Sequence, residues 1–97
     1  STGAWFENRN PADTRDLIGR FPASGVDDVE RAIASAERGF ERWKRTPAPA
    51  RGDVLRRVGD LLASRKEELA ALMTREMGKP LAETRGDVQE GIDTVYY

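Results

Sequence analysis

The chain has 97 residues, with 16 Lys+Arg against 17 Asp+Glu, a net charge of -1, and neither Cys nor His. That length suits one small domain, and the balanced charge argues against both an electrostatic nucleic-acid binder and a self-repelling disordered chain. Without Cys or His there is no disulfide, zinc cluster, thiol nucleophile or imidazole base, and no apolar run approaches the ~20 residues needed to span a bilayer.

Trp5 and Phe6 precede the turn-rich cluster Asn8-Arg9-Asn10-Pro11-Ala12-Asp13-Thr14, and Leu17, Ile18 and Phe21 follow it. Asn10 before Pro11 is biased towards extended backbone, and Asp13 can close a side-chain turn. The pattern predicts two short strands, near residues 4–9 and 15–22, in a hairpin with Trp5 and Phe6 in the core. A lone pair of strands is marginal in water, so its edges want cover.

From Ser24-Gly25 the pattern turns helical. Asp27 and Asp28 stand where a helix start favours acids, and Val26, Val29, Ile33, Ala36, Phe40 and Trp43 recur at spacings of three and four, predicting a helix near 26–45. Glu30, Arg31, Glu37, Arg38, Glu41 and Arg42 fall on the opposite, solvated face. Thr46-Pro47-Ala48-Pro49-Ala50 ends it. A second helix near 50–64 carries Val54, Leu55, Val58, Leu61 and Leu62. Ser64 with Glu67 three residues on fits a capping box for a third helix near 65–77, with a break at 64–66. Arg51-Gly52-Asp53 matches an adhesion tripeptide, but in a chain so rich in Arg and Asp a chance match is expected.

The joint Glu76-Met77-Gly78-Lys79-Pro80-Leu81 closes that helix and opens a fourth near 80–97. Gly78 can take the left-handed conformation that ends a helix, and Pro80 has its φ pre-set for a helix start. A phosphate-binding loop is excluded: the glycine it needs five residues before Gly78 is Met73, and the Ser or Thr after Lys79 is Pro80. Glu83, Asp87 and Glu90 read as a solvated acidic face rather than an acid/base pair. Leu81, Val88, Ile92 and Val95 stripe the last helix, and the stripe is still running at Tyr96-Tyr97, so the chain is expected to be cut within a helix.

Taken in order, Asn10-Pro11-Ala12 with Ile18-Gly19, Asp28-Val29-Glu30-Arg31-Ala32 through Phe40-Glu41-Arg42-Trp43, Leu55-Arg56-Arg57 to Leu61-Leu62, Glu76-Met77-Gly78-Lys79-Pro80-Leu81 with Glu83, and Asp87-Val88-Gln89-Glu90 with Tyr96-Tyr97 resemble the N-terminal segment of the NAD(P)-dependent aldehyde dehydrogenase superfamily. The resemblance implies an α/β parent fold of which residues 1–97 form the start of the cofactor-binding domain: a β-hairpin followed by three to four amphipathic helices, mostly α. It implies a parent enzyme that oxidises an aldehyde to a carboxylic acid through a cysteine adduct, with hydride passing to NAD or NADP, and that is a cytoplasmic homo-oligomer. The family's nucleophile, general base and cofactor loop lie beyond its first hundred residues, so no catalytic or cofactor-binding residue is carried over, and no cofactor is expected for this chain alone. The resemblance also implies a monovalent cation site, with the Glu76 carboxylate and the backbone carbonyls of Asn8 and Arg9 as ligands. The residues themselves leave a second reading of Glu76, as an exposed helix-end acid with Arg75 and Lys79 within reach as optional partners.

Two function classes follow. The first is a segment of an aldehyde dehydrogenase, structural in itself, whose partner is the remainder of the enzyme chain and which binds neither nucleic acid nor membrane. The second is a free-standing helical module that binds a partner protein through its amphipathic helices.

Overall fold

The computed structural model describes residues 3–97, arranged as β1 (Trp5–Asn10), β2 (Asp13–Pro22), α1 (Val26–Trp43), α2 (Ala48–Ser64), α3 (Lys66–Met77) and α4 (Leu81–Tyr96). The two strands form an antiparallel hairpin. β2 starts at Asp13 because the connection is only Pro11-Ala12: Asn10 pairs with Asp13, and the Asn10 Oδ1 accepts from the Ala12 N–H at 2.9 Å. The register shifts between Asn8 and Arg9 and again between Arg9 and Asn10. Trp5 and Phe6, expected in the core, are more than half exposed. The Phe6 ring lies tilted against that of Phe21, with centroids 5.7 Å apart.

Gly25 caps α1, and the Asp28 carboxylate accepts from its N–H. α1 stops at Trp43, where Lys44 and Arg45 turn back onto the Phe40 and Arg42 carbonyls. Proline is tolerated in a first helical turn, so α2 begins at Ala48 and takes Pro49 into that turn. The break between α2 and α3 falls at Arg65. The expected capping box is not formed: Ser64 Oγ donates to the Leu61 carbonyl, and α3 has no side-chain cap. Gly78 ends α3 at φ 71, its N–H bonded to the Thr74 carbonyl, and Pro80 leads into α4.

α4 packs against both α2 and α3, and the small core sits there: Ala70, Val88 and Ile92 are buried, with Leu62, Leu69, Met73 and Leu81 around them. Thr84 is fully buried in the same seam, its hydroxyl 2.8 Å from that of Thr74 and 3.1 Å from the Leu81 carbonyl. α1 has no packing partner of comparable extent among the described residues.

Candidate functional site, the corner of the hairpin and the helix joint

The joint at Gly78 brings the end of α3 against β1. The Asn8 Nδ2 donates to Glu76 Oε1 at 2.9 Å across 68 residues of sequence. Gly78 lies so close to the turn that a Cβ there would stand 3.2 Å from Pro11 Cγ, so the same glycine that ends the helix also lets the hairpin approach.

Arg75 supplies the second tie. Its guanidinium grips the Asp16 carboxylate with both Nε and Nη2, Nε at 2.6 Å, and Nη2 also reaches the Leu17 carbonyl at 3.2 Å. Asn10 donates to the same carboxylate at 3.2 Å. Together the Arg75 and then the Asn10 hydrogen bonds hold the Asp16 carboxyl down to about 2. Lys79 turns the other way, its Nζ 2.5 Å from Asp87 Oδ2 and 4.0 Å from Glu83, and the Asp87 hydrogen bond raises its pKa. Arg75 and Lys79 are thus engaged with Asp16 and Asp87, and Glu76 stands exposed at the end of α3.

Of the residues named from sequence, Glu76 and Asn8 are brought together. The Arg9 side chain lies along the hairpin instead, bonded to Glu7 at 2.6 and 2.9 Å and to the Thr14 carbonyl at 3.0 Å, which leaves only its backbone as a candidate donor. No cluster of three acidic, His or Cys side chains that could hold a metal occurs among the described residues. Sequence reasoning missed Asp16 and Thr84, because a long-range ion pair and a buried hydroxyl pair have no local signature. No helix of the described residues is long and apolar enough to cross a membrane.

This hairpin, four-helix and joint arrangement is that of a known family. The sequence profile of the aldehyde dehydrogenase family matches residues 1–97, and the chain belongs to that family. Among its relatives, the α-ketoglutarate semialdehyde dehydrogenase of Haloferax volcanii is 38% identical over 96 residues, which are 99% of this chain and 20% of that protein. An aldehyde dehydrogenase from Brucella melitensis biovar abortus 2308 superposes with a TM-score of 0.94 at 32% identity, over 100% of this chain and 20% of that one. The NADP-dependent glyceraldehyde-3-phosphate dehydrogenase of Bacillus halodurans C-125, solved with NADP, superposes with a TM-score of 0.92 at 32% identity, over 98% and 20%. The chain thus spans about a fifth of the length of these relatives. Membership of the family does not favour the free-standing module.

Proposed function

We propose that this chain serves as the N-terminal part of an NAD(P)-dependent aldehyde dehydrogenase, a structural and non-catalytic segment of the cofactor-binding domain of a cytoplasmic, homo-oligomeric enzyme. The observation that carries the reading is the open apolar stripe of α1. Val29, Ile33 and Phe40 each keep more than half of their surface exposed, on a helix whose opposite face is already charged. A stripe of that kind is half of a helix interface, and its partner is the remainder of the enzyme.

The reaction divides accordingly. Bound NAD(P)+ would supply the hydride acceptor, and the relatives solved with that cofactor support it for the complete enzyme. Aldehyde oxidation of this type needs a thiolate, which no side chain here can provide. What these residues do is fasten the hairpin to the helix joint through Asp16–Arg75 and Asn8–Glu76. The aldehyde does not transfer from the relatives, since those named above act on different ones.

At the corner, a monovalent cation held by the Glu76 carboxylate and the Asn8 and Arg9 carbonyls belongs to the same proposal. Support comes from Glu76 standing one hydrogen bond from Asn8. One carboxylate with neutral oxygens suits a hard cation of low charge.

The test is reduction of NAD+ or NADP+ by purified 97-residue chain offered a panel of aldehydes. The expected result is no turnover, with activity present once the complete chain is expressed. Turnover by the short chain alone contradicts the proposal.

A further inference from the structure

The apolar stripe of α1, Val26, Val29, Ile33, Ala36, Phe40 and Trp43, advances by alternate steps of three and four residues, the seven-residue repeat of a helix that packs along its length against another helix. No helix packs along it among the described residues. Two acids border the stripe. Glu30 comes four residues after Val26 and three before Ile33, and Glu37 four after Ile33 and three before Phe40, so each stands beside the seam at the margin of the charged face. Asp28 pairs with Arg31, and Glu41 with Lys44 and Arg45, but neither Glu30 nor Glu37 joins an ion pair among the described residues. Neither can find a base within the helix, since the positions three and four away from them hold Val26, Asp27, Ile33, Ala34, Phe40 and Glu41.

We infer that α1 docks against a helix of the remaining enzyme chain that carries its own apolar seven-residue repeat and two basic side chains about 10.5 Å apart, one facing Glu30 and the other Glu37. This rests on the reading of α1 as half of an interface and adds the chemistry of the other half. The spacing is the axial rise of the seven residues that separate the two acids. Charges beside an apolar seam select the partner, because a carboxylate set against a base is held, while one set against an acid is repelled and loses water with nothing in exchange. A second copy of the chain does not meet that need. In a parallel pair Glu30 and Glu37 would face Gly25 and Ala32, and in a fully overlapped antiparallel pair Glu37 would face an acid of its copy.

The experiment measures hydrogen–deuterium exchange of the amides in 26–43 in the complete enzyme, at low salt and again at about 1 M NaCl, where charges are screened beyond about 3 Å. Wild type is expected to protect α1. Glu30→Lys combined with Glu37→Lys should exchange there about tenfold faster at low salt, the worth of two surface ion pairs, with most of the difference gone at high salt. Arg38→Glu, a reversal on the far face of the same helix, should exchange as wild type does. If the double Lys variant does not fold, Glu30→Gln combined with Glu37→Gln carries the test, with a smaller rise of the same sign. Low-salt exchange no faster than wild type in the folded double variant overturns the basic partner and leaves α1 a covered face. So does a rise that high salt leaves unchanged or that Arg38→Glu reproduces. An α1 as open in the complete wild-type enzyme as in the 97-residue chain overturns the covered face and this inference with it. A 97-residue chain that sediments as a dimer with α1 protected assigns the face to a second copy and overturns the inference too.

Discussion

Asp16 is the residue on which the hairpin's attachment depends most, because its carboxylate is shared by Arg75 of α3 and Asn10 of its own hairpin. Its folded pKa, about 2, lies below the ordinary 3.8. The contribution to stability is therefore fully present above pH 3.8 and is lost as the pH falls through about 2, where the folded-state carboxylate finally takes up its proton. A carbon-detected NMR titration of the Asp16 carboxyl should show a midpoint near 2, and Arg75→Gln should move it back towards 3.8. An unshifted midpoint in the unsubstituted chain would mean that the clamp does not form in solution. Sequence alone placed Glu76 at a corner, because Gly78 and Pro80 mark a sharp joint. It could not choose between Arg75, Lys79 and Asn8 as partners. That choice follows from the hairpin docking on α3, which presents Asp16 to Arg75, while Lys79 lies on the α4 side of the joint.

The α2–α4 contact is set by one glycine. A Cβ on Gly59 would come within 2.7 Å of Tyr96 Cε1, so the aromatic ring lies directly on the α2 backbone, and its hydroxyl donates to Asp60 at 2.6 Å. That hydrogen bond raises the Tyr96 pKa. Gly59→Ala should destabilise the complete enzyme by about 1–3 kcal/mol in urea unfolding, as overpacking does. In a Tyr96→Ala background the same substitution should be close to neutral, since alanine is the better helix former. Equal costs in both backgrounds would show that the ring is not what Gly59 accommodates. The helices were legible in the sequence because three-and-four spacing is local and spans many turns, as in Val26 to Trp43. Their starts were less legible: Ser64 and Glu67 satisfy a capping pattern, yet Ser64 still belongs to α2 and bonds back to Leu61. Trp5 and Phe6 show the same limit, since an apolar residue type marks a surface to be buried but not which element buries it.

Across the whole molecule, the accessible surface is 7500 Å², against about 5,500 Å² for a compact monomer of this mass. The radius of gyration is 17.3 Å, where a compact chain of this length would have about 12.5 Å. A slab of 47 × 36 × 15 Å cannot cover both faces of its helices. The α1 stripe is one open face, and a groove of about 430 Å³ beside Leu69, Leu72, Met73 and Met77 is another. Such surfaces fit the proposal of a segment that acquires its stability from the rest of an enzyme, and on that proposal α1 is where the dependence is greatest. Hydrogen–deuterium exchange of the amides in 26–43, compared between the purified 97-residue chain and the complete enzyme, tests this most directly. The account predicts that α1 exchanges rapidly in the short chain and is strongly protected in the complete enzyme, while the α3–α4 amides around Val88 and Ile92 differ far less. Equal exchange of α1 in the two would contradict it.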